Sequence, residues 1–123
     1  PSDIVAKARV QEWLSTAVNE IMSGPFVVRA IKVFGMPGDA EAAAAKTTAL
    51  FDVLFEPHLK DREWLVGESA TIADIACYSY VARVTEGDFS LENYPAISAW
   101  LNRIESLPNF PQMVHAHEFM AGS

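Results

Sequence analysis

One stretch, residues 65–84, constrains the fold more than any other: LVGESATIADIACYSYVARV. Thr71 followed three residues later by Asp74 has the form of a helix capping box. The Thr71 hydroxyl can accept from the backbone N–H of Asp74, and the Asp74 carboxylate can reach back to the N–H of Thr71. The aspartate is shorter than the usual Glu or Gln, and its charge also suits the positive end of a helix. From Ile72 to Val84 the only charged residues are Asp74 and Arg83, so apolar or small side chains occupy every face. A helix apolar all round is one that other elements surround, and this one is too short to cross a bilayer. The stretch therefore predicts a buried central helix whose N-terminus is buried too. Water cannot reach the first N–H groups there, so the box has to satisfy them.

The remaining segments wrap this helix. Val10, Trp13, Leu14, Ala17, Val18 and Ile21 recur at helical spacing, with Ser2 or Asp3 placed to cap. Gly24-Pro25 interrupts the stripe, because a residue before proline avoids helical angles; Val27, Ala30, Ile31 and Phe34 resume it. A kinked or two-part helix over residues 3–34 is expected, closed by Gly35 as a left-handed cap. Asp39 caps an alanine-rich helix that runs through Phe55, and Pro57 kinks or ends it. After the central helix, a polar loop over residues 88–93 leads to Tyr94-Pro95. There proline opens a helix with the stripe Ile97, Trp100, Leu101, Ile104. A short helix over residues 110–115 is expected in the tail. With no alternating strand pattern, the reading is all-α, with four or five main helices in one domain over residues 1–123.

Half of the residues are apolar and a fifth are charged, which fits a well-cored globular chain. The net charge of −7 argues against nucleic acid and against an anionic membrane surface as partners. Cys77 is the single cysteine, so no intrachain disulfide can form and reduced, cytoplasmic surroundings are the default. The chain opens Pro1-Ser2-Asp3 without an initiator Met, which reads as a piece or processed product of a longer protein.

No nucleophile triad, phosphate loop or metal cluster is visible. His115 and His117, two apart, would not share a helix face, and His58 stands alone beside Pro57. Cys77 has no adjacent cation and should be inert. Asp74 reads as a structural cap in preference to a buried acid. Glu20 flanks the first stripe just before the Gly24-Pro25 break, either as a solvated carboxylate or as the border of a cleft. Tyr80 and Arg83 lie near the end of the central helix, and Arg83 either snorkels outward or lines a polar pocket. Trp13 and Trp100 fit the helix stripes and are expected in the core.

Several segments carry a family likeness: Trp64-Leu65-Val66-Gly67-Glu68-Ser69 before Thr71-Ile72-Ala73-Asp74-Ile75-Ala76, then Glu86-Gly87-Asp88-Phe89, Tyr94-Pro95-Ala96-Ile97 and Ala99-Trp100-Leu101-Asn102-Arg103-Ile104-Glu105. Their order resembles the C-terminal helical domain of bacterial cytosolic glutathione transferases over nearly the whole chain. The likeness is looser at Arg9-Val10-Gln11-Glu12-Trp13-Leu14. It implies a multi-helix bundle of that domain type, with an N-terminal thioredoxin-like domain absent from this chain. In the family that domain holds most of the glutathione site and the Ser, Tyr or Cys that activates the thiol. No catalytic residue is then expected here, and the chain alone should be inactive. The helical domain would supply the second-substrate wall and much of a homodimer interface, the first two helices pairing across a twofold axis.

The resemblance places Glu20 where the beta class has a His that reaches the active site, with Thr16 and Ser23 one turn to either side. It places Arg83 where that class has a Trp lining the electrophile pocket. These two departures point to another bacterial class. Thr16, Glu20, Ser23, Tyr80 and Arg83 are the implied substrate-binding residues. Glutathione is the implied co-substrate, with no metal, and a hydrophobic or electrophilic small molecule is the partner. The alternative is a non-catalytic relative that serves as a protein-interaction module.

Overall fold

The computed structural model describes residues 3–108, and those residues form a bundle of helices with no strand among them. Helix α1 (Ile4–Thr16) passes through a wider π-helical turn, Ala17–Ile21, and breaks at Gly24 before α2 (Pro25–Phe34). Helix α3 (Ala40–Leu50) continues through a second π turn, Phe51–Phe55, into the single-turn α4 (Glu56–Leu59). Helix α5 (Ile72–Ala82) tightens into a 3-10 turn, Arg83–Gly87, and α6 (Pro95–Glu105) follows. These make five helical rods, in line with the four or five expected.

The helix ends form where the sequence placed them. The Asp3 carboxylate accepts from the Val5 N–H at 2.9 Å and that of Asp39 from the Ala42 N–H at 3.1 Å. Gly35 takes φ 65°, the left-handed cap. The break at Gly24 packs onto α3, where an added Cβ would lie 3.1 Å from the Thr47 hydroxyl. Thr47 is fully buried and donates to the Ala43 carbonyl at 2.8 Å. Pro57 lies in the single turn of α4, and the rod ends two residues later, at Leu59.

Aromatic rings join the rods at the centre. Phe55 touches Trp13 of α1 at 5.2 Å between ring centroids and Trp100 of α6 at 6.0 Å. Phe51 meets Tyr94 at 5.3 Å and Phe89 at 5.6 Å, so the loop before α6 folds Phe89 inward instead of remaining wholly polar. Of the first stripe, Val10, Trp13, Ala17 and Ile21 are buried. The side chain of Val18 lies outside those described, as do the short helix expected over residues 110–115, His115 and His117.

Helix α5 corrects one expectation. Ala73, Asp74, Cys77 and Val81 are buried, but Ile72 is 63% exposed and Ile75 40%. Helices α1, α2 and α6 and the π turn Ala17–Ile21 pack against α5, yet these two isoleucines stay open among the described residues. An all-round apolar composition marks a helix that something covers; it does not say that the cover belongs to the same chain.

Candidate functional site

The start of α5 holds the bundle together around one carboxylate. Thr71 and Asp74 form the reciprocal capping box, with the Thr71 N–H donating to Asp74 Oδ2 at 2.9 Å. The other oxygen, Oδ1, accepts from the Leu65 N–H at 2.9 Å and from the Trp100 indole N–H at 2.9 Å. Asp74 is fully buried, and its donors come from the incoming loop, the helix start and α6. That arrangement is a structural joint with every contact internal, so its role is to fix α5 in place.

At the far end of α5, Ser79, Tyr80 and Arg83 face Pro25, Phe26 and Arg29 of α2 across a cleft of about 210 Å³. Tyr80 and Phe26 meet edge to face at 6.0 Å and 82°. Arg29 Nε donates to Glu86 Oε1 at 3.1 Å, and Arg83 Nη1 stands 3.9 Å from Glu86 Oε2. All three charged side chains are mostly buried, at 13–18% exposure, and Arg83 Nε has no hydrogen-bond partner. Gly87 sets the spacing of the two walls. A Cβ there would lie 2.5 Å from Val28 Cγ1 and 2.6 Å from the Val28 carbonyl oxygen, so α2 rests directly on the backbone of the 3-10 turn.

The five site residues read from the sequence fall in different places. Tyr80 and Arg83 share the cleft. Thr16 lines a separate groove of about 340 Å³ with Arg9, Trp13, His58 and Arg62, and its hydroxyl donates to the Glu12 carbonyl at 3.1 Å. Glu20 is exposed, and the Ser23 hydroxyl bonds back to the Asn19 carbonyl at 2.9 Å. The π turn Ala17–Ile21 carries Glu20 within it, so Thr16, Glu20 and Ser23 are not spaced by regular α-helical turns. Phe26 and Arg29 were missed as cleft residues; their spacing on α2 marks them only once the facing helix is known.

The His58 ring lies tilted against Trp13, 4.9 Å between centroids, and its Nε2 donates to the Leu65 carbonyl at 2.7 Å. Burial foremost, with Arg62 and Arg9 adding, holds its pKa below the usual histidine value. Burial pushes the Cys77 thiol up to about 12, so it is protonated and unreactive. Among the described residues no group of three or more His, Cys, Asp or Glu is placed to hold a metal, and no helix is long and apolar enough to cross a membrane. A third concavity, of about 770 Å³, is a mainly apolar groove where Ile72, Ile75 and Leu107 meet Ala6 and Val10 of α1.

Residues 11–108 match the family described as "Glutathione S-transferase, C-terminal domain". The chain is 38% identical over 73 residues to the disulfide-bond oxidoreductase YfcG of Escherichia coli K12, covering 59% of the chain and 34% of the relative. It is 26% identical to rat glutathione S-transferase theta-1, covering 96% of the chain and 53% of the relative. Among solved structures, a glutathione S-transferase from Xanthobacter autotrophicus Py2 superposes with a TM-score of 0.88 at 33% identity, covering 97% of this chain and 60% of that one. The enzyme from Pseudomonas fluorescens Pf-5 gives 0.84 at 31% identity, covering 91% and 58%. The chain spans at most about half the length of the curated relatives it matches.

Proposed function

Because the chain belongs to the glutathione S-transferase C-terminal domain family, we propose that it is the second-substrate-binding and dimerisation domain of an enzyme that conjugates glutathione to an electrophile. The observation that carries this reading is the cleft between α2 and the end of α5, where an aromatic pair and a buried arginine meet. A thioredoxin-like domain elsewhere in the parent protein would bind glutathione and lower its thiol pKa. This chain would hold the electrophile beside the thiolate, and Arg83 would stabilise charge developing on it. The groove at Ile72 and Ile75 supports that division, since a mainly apolar exposed surface is what a second domain covers. The separated chain is then inactive.

Exposed Phe34, Met36 and Val53 at the end of α2 and along the α3 rod support twofold pairing through the first two rods, α1–α2 and α3–α4. The reduced Cys77 fits a cytoplasmic setting. The identity with YfcG favours a second reading, disulfide-bond oxidoreduction. Full-length protein assayed with glutathione and chlorodinitrobenzene, and in parallel with a small dialkyl disulfide, separates the two. Absence of turnover with both, together with no binding of glutathione, overturns the enzyme reading and leaves the interaction module.

A further inference from the structure

We propose that the cleft accepts a small organic carboxylate, with its acid group on the Arg83 guanidinium beside Arg29 and its planar body against the Phe26–Tyr80 pair. The inference rests on this cleft being the second-substrate wall, and adds the charge and size of what it takes. Arg83 Nε is buried with no hydrogen-bond partner, and Nη1 is too far from Glu86, at 3.9 Å, for a hydrogen bond. A guanidinium offers five N–H donors in a planar fork that matches a carboxylate. Leaving a buried donor unused is unfavourable, and an incoming oxygen relieves that cost.

The charges point the same way. Glu86 Oε1 is already engaged by Arg29 Nε at 3.1 Å, so two cations are set against one carboxylate. None of the six residues lining the cleft is acidic. The charged residues that line the cleft are both arginines, on a chain with net charge −7, so attraction for an anion belongs to this site and not to the protein's general field. Size narrows the class further. At about 210 Å³ the cleft falls below the range of roughly 300–1,000 Å³ that takes drug-sized ligands. The edge-to-face ring pair gives a flat molecule an apolar wall.

Chloronitrobenzoate and its uncharged methyl ester share a ring and differ in charge, so the pair isolates the electrostatic part. In ligand-observed NMR titrations of the full-length protein, the acid is expected to bind about tenfold more tightly than the ester. Arg83→Met keeps the aliphatic stem and should bring the two affinities together. Arg83→Lys keeps the charge without the fork and should retain part of the preference; it stands in if the Met variant does not fold. Glu86→Gln adds one positive charge to the cleft and should widen the ratio beyond wild type, the opposite of what damage to the site would do.

Equal affinities in the wild type, or a preference that survives Arg83→Met in a folded protein, overturn the proposal. The two readings fail separately. Loss of conjugation with the acid preference intact removes the enzyme assignment, and conjugation without the preference removes the anion site.

Discussion

The N-termini of α5 and α6 solve one problem by two routes. Each leaves backbone N–H groups near the core that no intrahelical carbonyl can satisfy. At α5 the answer lies within four residues, as Thr71 and Asp74 cap each other. At α6 the N-cap residue Tyr94 offers no side-chain acceptor. Glu56 reaches across from α4 and accepts from the Ala96 N–H at 2.9 Å and the Ile97 N–H at 3.0 Å. The local cap lets a helix start before the fold is complete. The distant cap works only once α4 and α6 are docked, so it adds to cooperativity in place of nucleation.

Four experiments press on that contrast. Asp74→Ala should be the most damaging, at roughly 3–5 kcal/mol, because it strands buried donors on Leu65 and Trp100 together with the half-buried one on Thr71. A urea midpoint within error of wild type would break the idea of a joint at that carboxylate. Glu56→Ala should cost about 1–2 kcal/mol, since Ala96 is partly open to water. Hydrogen exchange should quicken at the first turn of α6 while α5 stays protected; equal effects on both helices would erase the distinction. Thr71→Ala should remove about 1 kcal/mol, one half of the box, and a larger loss than Glu56→Ala would reverse the ranking.

The smallest effect concerns pH and His58, whose Nε2–H holds the Leu65 carbonyl just beside that joint. Its folded pKa is lowered, so on acidification the unfolded chain takes up the proton first, near pH ~6.5. Stability is therefore full above that value, falls as pH drops below it, and levels off once pH passes the folded pKa. Comparing urea midpoints between about pH 7 and pH 5 should show a decline that His58→Gln reduces. An unchanged slope in that variant would show that other groups set the acid sensitivity of the joint.

Legibility in the sequence divides along the same line. Asp3, Gly35, Asp39 and the box at Thr71 act within a turn of themselves, and each forms where the residue pattern placed it. The stripes that name Trp13 and Trp100 as core were also readable, because periodicity survives as long as the helix is regular. Features that depend on a partner far along the chain were not. Nothing near Trp100 says that its indole meets Asp74, and nothing near Glu56 says that it caps a helix 40 residues on. The candidate site was half visible: Tyr80 and Arg83 came from the sequence, whereas Arg29 and Phe26 became part of it only when α2 lay against α5. Glu20 lies in a π turn, a local departure that no periodicity announces.

The contact between Gly87 and Val28 has a practical consequence. Since α2 lies on bare backbone there, the gap between the two arginine-bearing walls is set by a hydrogen atom, and the residue at that position acts as a shim. A methyl group at 87 would lever α2 outward and loosen the grip of Arg29 on Glu86, and bulkier replacements would do so by graded steps. For the substrate cleft proposed above, selectivity can therefore drift toward wider molecules by thickening one spacer, with Phe26, Tyr80 and Arg83 left as they are.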